Sequence, residues 1–251
     1  MTVYSLLGRN GSTGTFNTET GLAECRGKER KISSGMVIDP GDILVIKGEE
    51  FVVSNFRAVD FGSTVKRRTQ IIQPWDASFA IFAMGLHGGM RVLESGGGSG
   101  AMSMYILQSL GDSGKLVTLE NNGETAEFLL ALRNSQRLQE KWDIVNISIE
   151  DYAGPGSFDA GMLDLPEPWK ASGNLRKIMV SGSVLCTYLP TYNQVEKTVS
   201  AFSECGFYHT GTDEIIRRRI LVRNGATRPD NDIIGHTAFI SSFIRTSGIR
   251  S

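Results

Sequence analysis

Four carboxylates, Glu94, Glu120, Asp151 and Asp164, each close a short apolar run in the middle of the chain, over residues 90–94, 115–120, 145–149 and 158–163. As parallel strands of one open α/β sheet, those runs would bring all four acids to the carboxyl edge, where such sheets hold their ligands. The first acid opens the loop Glu94-Ser95-Gly96-Gly97-Gly98-Ser99-Gly100, and residues 101–110 have helical character. Glycine backbone approaches a ligand closely, and the helix start at Ala101 presents unpaired N–H groups. An acid at the head of this loop, two residues before the first glycine, would repel the pyrophosphate of a dinucleotide, so NAD and FAD fit poorly. It suits a ligand with a cationic end. S-adenosylmethionine has an ammonium and a sulfonium at one end and a ribose diol at the other. Gly96, Gly98, Ser99, Gly100 and Ala101 would lie along it, with Glu120 placed for the ribose hydroxyls. Asp151 would meet the exocyclic amine of the cofactor adenine.

The fourth acid begins Asp164-Leu165-Pro166-Glu167-Pro168-Trp169. Two prolines stiffen the loop and an aromatic residue follows, which suits a site that holds a planar target against a methyl donor. An aspartate accepting hydrogen bonds from an adenine amine would raise electron density on the ring and offset positive charge as a methyl group arrives. The alternative is that Asp164 merely caps a helix starting near Pro168.

The elements that must position these residues follow from texture. Residues 1–64 alternate short β-branched stretches with glycine and turn residues, as in Asp39-Pro40-Gly41-Asp42 and Lys47-Gly48, and predict a small antiparallel β domain. Residues 65–88 form a linker and entry helix, with Asp76 as the expected N-cap. Residues 89–251 repeat strand, turn and helix: strands at 183–189, 215–222 and 237–244 follow the four above, with helices at 124–140 and 194–205. This predicts a doubly wound α/β sheet with a closing antiparallel hairpin.

The 251 residues carry 26 Lys+Arg against 27 Asp+Glu, a formal net charge of −1, with 40% hydrophobic residues. That composition excludes a disordered chain, and its balance does not by itself advertise nucleic acid or an anionic membrane. The opening residues lack the basic and apolar regions of an export signal, and no apolar run approaches the ~20 residues of a membrane helix. A soluble cytoplasmic protein is expected. Three scattered cysteines, Cys25, Cys186 and Cys205, support neither a disulfide framework nor a metal site.

The chain resembles the tRNA (adenine-N1) methyltransferases that modify adenosine 58 of the T-loop. The matching stretches are Arg67-Arg68-Thr69-Gln70-Ile71-Ile72 with Pro74 and Asp76; Arg91-Val92-Leu93-Glu94-Ser95-Gly96 through Ser99-Gly100; Leu163-Asp164-Leu165 with Glu167-Pro168-Trp169; Tyr188-Leu189-Pro190 with Gln194-Val195; and Arg228-Pro229 with Gly235-His236-Thr237-Ala238-Phe239. The resemblance implies a Rossmann-like class I S-adenosylmethionine-dependent methyltransferase sheet behind a small N-terminal β domain, assembled as a homotetramer. It implies cofactor contacts from Gln70, from the loop Gly96 to Ala101, from Glu120 and from Asp151, with Asp164 meeting the target adenine.

Three departures stand out. Gly97 replaces a larger residue of the loop, which should loosen it; Gln73 stands where a tyrosine often lies near the target base; and Asn121-Asn122-Gly123 replaces a stretch that more often carries a basic residue. Arg67, Arg68, Arg217 and Arg219 are the candidates for tRNA phosphates; on a strand, Arg217 and Arg219 would share one face and Arg218 the other. His236 is expected to be a satisfied buried histidine, and Trp75 and Trp169 to pack beside the site. Two other readings stay open: methylation of a small molecule or a protein isoaspartate, and a non-catalytic tRNA-binding subunit.

Overall fold

The computed structural model describes residues 3–8, 11–25, 28–32, 37–61 and 71–248. Gln70, Arg67 and Arg68 lie outside the described residues. The chain divides into two compact units, 1–71 and 72–251.

The first unit is a six-stranded antiparallel sheet of β1 (Val3–Gly8), β2 (Thr13–Asn17), β3 (Leu22–Cys25), β4 (Lys28–Lys31), β5 (Ile43–Ile46) and β6 (Glu49–Asn55), in the order β4-β3-β2-β1-β6-β5, followed by the short helix α1 (Ala58–Phe61). Period-two burial turns Leu6, Phe16, Ala23, Leu44, Phe51 and Val53 into one core. The β5–β6 hairpin closes on Lys47-Gly48, both at positive φ, 52° and 79°, the two-residue geometry that matches the twist of the strands.

The second unit begins with α2 (Pro74–Ala83), capped by the backbone of Gln73 with Pro74 in the first turn. The helix therefore starts before Asp76, which is not its N-cap; its side chain is fully buried. Then come β7 (Arg91–Ser95), α3 (Ala101–Leu110), β8 (Lys115–Leu119), α4 (Gly123–Ser135), β9 (Trp142–Val145), β10 (Phe158–Leu163), a 3-10 turn over Pro168–Ala171, α5 (Ser172–Ile178), β11 (Met179–Leu189), α6 (Tyr192–Glu204), β12 (Phe207–Glu214), the two-residue strands β13 (Ile220–Leu221) and β14 (Arg228–Pro229), and β15 (Phe239–Arg245).

Seven of these strands form one sheet in the order β9-β8-β7-β10-β11-β15-β12. The first five are parallel, and β15 runs antiparallel to both β11 and β12. The chain winds outward from β7 through β8 to β9, then returns to β10 on the other side of β7. This reversal opens a crevice at the carboxyl ends of β7 and β10. Strands β7, β8 and β10 are buried on both faces, as their continuous apolar runs require. Leu93, Val117, Leu163, Leu185, Phe202 and Phe243 share the core beneath.

Two expected strands fall elsewhere. The third ends at Val145, ahead of the turn that holds Ile149 and Asp151. The closing antiparallel pair uses residues 207–214, whereas the segment 215–222 contributes only Ile220 and Leu221 to a strand. Alternating Thr and Gly masked β12, whose outer residues are exposed.

Candidate active site

Glu94 ends β7 inside the protein, 1% exposed. Its Oε2 accepts hydrogen bonds from Ser103 Oγ of α3 at 2.6 Å and from Thr118 Oγ1 of β8 at 2.7 Å. Trp142, wholly buried on β9, donates Nε1–H to the same Thr118 hydroxyl at 2.8 Å, which orients its proton toward Glu94. The other oxygen, Oε1, is buried and has no hydrogen-bond partner. Burial pushes the carboxyl up to about 7, reinforced by the charges of Asp164 and Glu120 and opposed by the two hydroxyls. A buried, half-bonded carboxylate of this kind is poised to be completed by a cation.

Glu120, immediately after β8, pins the glycine loop. Gly98 N–H donates to Oε2 at 3.2 Å and Asn122 N–H to Oε1 at 3.0 Å. Each oxygen keeps a second lone pair for a ligand hydroxyl. Asn146, just beyond β9, donates Nδ2–H to the Glu120 carbonyl at 2.7 Å and fixes its backbone.

Asp164 follows β10 and is tied to β7 by its N–H, which donates to the Ser95 carbonyl at 2.9 Å. Gly96, at φ 89°, passes so close that a Cβ there would lie 2.2 Å from the Asp164 carbonyl oxygen. Burial, then the charge of Glu120, pushes the Asp164 carboxyl up to about 6. It caps no helix: the 3-10 turn starts after Glu167, and no side chain caps it.

Across the crevice lies a group of residues that motif reasoning did not assemble. Tyr188, near the end of β11, donates its hydroxyl to Asp76 Oδ2 at 3.0 Å. Asp76 is raised above the usual carboxylate range by burial, while Thr237 and Tyr188 partly stabilise its charge. His236 is bonded at both ring nitrogens, to Glu214 Oε1 at 2.5 Å and to the Pro190 carbonyl at 2.9 Å, and its ring lies 4.9 Å from that of Phe239. It is satisfied as expected, but exposed rather than buried.

The structure thus brings Glu94, Gly96, Gly98, Ser99, Gly100, Ala101, Glu120 and Asp164 together around one loop. Asp151 stands apart in the turn beyond β9, exposed and accepting from Ser148 Oγ at 2.8 Å. Arg217 and Arg219 lie in the exposed segment after β12, outside any strand, so the expected alternation of faces does not apply; the Arg217 guanidinium sits 5.1 Å over the Trp75 ring. Trp169 carries Lys197 at 5.2 Å. Among the described residues, no cluster of His, Cys, Asp and Glu is suited to a metal ion.

Residues 61–241 match the family described as tRNA methyltransferase complex GCD14 subunit. The chain belongs to this family. It is 30% identical to the tRNA (adenine(57)-N(1)/adenine(58)-N(1))-methyltransferase TrmI of Methanocaldococcus jannaschii, over 90% of this chain and 86% of that protein. In fold it is similar to an S-adenosylmethionine-dependent O-methyltransferase of Thermotoga maritima, with a TM-score of 0.82 at 23% identity over 100% of this chain and 95% of that one. It is likewise similar to the tRNA (m1A58) methyltransferase TrmI of Aquifex aeolicus, with a TM-score of 0.77 at 22% identity over 99% and 98%. The fold is the Rossmann-like sheet of these methyltransferases with an N-terminal antiparallel β domain.

Within that family fold, Gly97 does not loosen the loop. It is buried, and a Cβ would meet Leu129 Cδ1 at 2.5 Å and Thr118 Cγ2 at 2.7 Å. The missing side chain is replaced by tight packing from α4 and β8.

Proposed function

We propose that this protein methylates N1 of the T-loop adenosine of tRNA, position 58, with S-adenosylmethionine as methyl donor. The observation that carries this reading is the meeting of Glu94, Glu120 and Asp164 around one glycine loop at the switch point of the sheet, with Glu94 Oε1 buried and unpartnered. That donor set fits the cofactor. Glu94 answers its ammonium end, Glu120 its ribose hydroxyls, and Gly96 to Ala101 the close backbone approach, while Gln70 and Asp151 complete the contacts that the family resemblance assigns.

When bound, S-adenosylmethionine supplies a methyl group on a sulfonium, open to direct displacement. Asp164 accepts hydrogen bonds from the 6-amino group of the target adenine. Electron density on N1 rises, and the carboxylate offsets the positive charge the ring gains as the N1–C bond forms and the C–S bond breaks. A hydrogen bond to a charged group of this kind contributes roughly 1.5–3 kcal/mol. Asp164 must be ionised for this role, and a carboxyl held at about 6 is ionised at neutral pH. N1 is engaged inside the folded T-loop, so the nucleotide is extruded at a cost of a few kcal/mol. Arg67, Arg68, Arg217 and Arg219 take RNA phosphates.

The family resemblance further supports a cytoplasmic homotetramer. Ile216, Ile220, Val222, Ile233 and Ile234 of the β12–β15 connection are each exposed, and assembly covers apolar side chains of this kind. With a net charge of only −1, capture of tRNA then depends on basic surfaces from more than one subunit.

Incubation with unmodified tRNA and methyl-labelled cofactor, followed by mapping of reverse-transcription stops, tests the activity, because a methyl on N1 blocks pairing. Stops at the T-loop adenosine are expected. Labelled protein with clean tRNA would overturn the reading, and absence of cofactor binding by calorimetry would make the chain a non-catalytic subunit.

A further inference from the structure

Tyr188 and Asp164 are neighbours across two parallel strands. Leu163 pairs with Thr187 in the β10–β11 register, and each is followed by the residue in question. On its other side, the Tyr188 hydroxyl donates to Asp76 Oδ2 at 3.0 Å, and Asp76 is 0% exposed. Both carboxylates act on the hydroxyl: burial raises the phenol most, then Asp76, Thr237 opposes this, and the Asp164 charge adds to it. A phenol has one proton. With that proton committed to Asp76, its oxygen offers only lone pairs toward Asp164. Thr237 and the charge of His236 also stabilise the Asp76 carboxylate, which keeps it the charged acceptor of that proton.

We propose that Asp76 positions the Tyr188 hydroxyl as a hydrogen-bond acceptor beside Asp164, so that the two together form an acceptor-only wall that selects a 6-amino purine as the target base. One amino hydrogen goes to Asp164 and the other to Tyr188. A 6-oxo purine would bring its own acceptor against two others, which leaves buried acceptors unpaired. Adenine that gains positive charge on methylation makes both bonds stronger. Tyr188 would touch substrate; Asp76 acts through it. This inference rests on the proposed function and names the specificity of that same site.

The test is a cycle of enzyme and substrate changes, with single-turnover rates on T-loop transcripts carrying either adenosine or purine ribonucleoside, which lacks the 6-amino group, at the target position. Tyr188→Phe should slow adenosine methylation about tenfold and purine methylation less than about twofold, as loss of one hydrogen bond to the amino group predicts. Asp76→Asn is nearly isosteric, yet its amide can donate to the phenol oxygen and turn the phenol proton toward Asp164. It should therefore reproduce the adenosine-selective loss. Cofactor affinity by calorimetry should stay within about twofold in both variants, as folded protein with an intact donor site requires. Equal losses on the two substrates, or none in either variant, would overturn the inference. Wild-type protein that leaves adenosine unmethylated would overturn the proposed function instead.

Discussion

On the β7–β8 bank of the crevice, Glu94 is held by Ser103 and Thr118, nine and 24 residues away, and Glu120 by backbone N–H groups of Gly98 and Asn122, 22 and two residues away. On the β11–β15 bank, Asp76 meets Tyr188 across 112 residues and His236 meets the Pro190 carbonyl across 46. The first bank is a local motif with its own anchors; the second exists only once the sheet has closed. Asp164 stands between them, its backbone tied to Ser95 and its charge acting on Glu94 of the first bank and on Tyr188 of the second. A cofactor common to many chemistries can be served by a portable loop, whereas the target must be recognised by residues that the particular fold collects.

The largest expected effect comes from the residue that both banks share. Asp164→Ala should lower kcat/KM for tRNA on the order of 100-fold or more, while cofactor affinity changes only a few-fold, since the carboxylate acts on charge that develops in the transition state. A loss of only a few-fold in the tRNA reaction would remove Asp164 from its role.

The same division sets what was legible in the sequence. Glu94, the glycines and Glu120 announce themselves because strand, acid and loop are contiguous, and the order of the parallel strands follows from their alternation with helices. Asp76 was expected to cap α2, because a helix start with an acid is a local signal; Pro74 in fact begins the helix, and burial of Asp76 against Tyr188 is a tertiary event. Polar alternation hid β12, and the apolar Ile215-Ile216 drew the expected strand into an exposed connection. The turn at residues 148–151 extended an apolar run past the true end of β9 and carried Asp151 with it.

Breaking the loop bank should separate backbone from side-chain constraint. Gly96→Ala places a Cβ 2.2 Å from the Asp164 carbonyl oxygen at a φ of 89°, where neither the strand nor the left-handed backbone can yield cheaply. Cofactor affinity should fall at least about tenfold by calorimetry, because displaced backbone strands the whole loop. Gly97→Ala meets only the side chains of Leu129 and Thr118, and its thermal midpoint should drop by the equivalent of about 1–3 kcal/mol. Leu129→Ala in the same chain should recover part of that loss; a double variant no better than the sum would show that backbone, not Leu129, sets the limit.

A change of pH sharpens the contrast on the same bank. Glu94 has an ordinary value of 4.5 and is held at about 7, first by burial. In ligand-free protein the neutral carboxyl is favoured, so its stability cost is absent below the unfolded value, grows as pH rises, and is complete above about 7. Glu94→Gln should accordingly stabilise the ligand-free protein at pH values above about 7 in thermal melts and leave it little changed near pH 5. Cofactor binding should reverse the order, since the ammonium needs the charged form, and wild-type affinity should weaken as pH falls through about 7. Affinity that rises on acidification would mean that Glu94 does not face the cation.

The smallest effect lies on the far bank. The Glu214 hydrogen bond, then that to the Pro190 carbonyl, holds His236 protonated above its ordinary value of 6.5. A raised folded value contributes stability that is fully present below the unfolded value and lost as pH rises through the folded one. The pair is exposed to solvent, so its worth is that of a surface ion pair, well under about 1 kcal/mol, and salt should screen it. Glu214→Gln should lower the thermal midpoint slightly near pH 6 and not at all near pH 9, a difference that vanishes in high salt. Because His236 also grips the Pro190 carbonyl beside Tyr188, a pH-independent loss in that variant would place His236 among the residues that hold the β11 end by neutral hydrogen bonds rather than by charge.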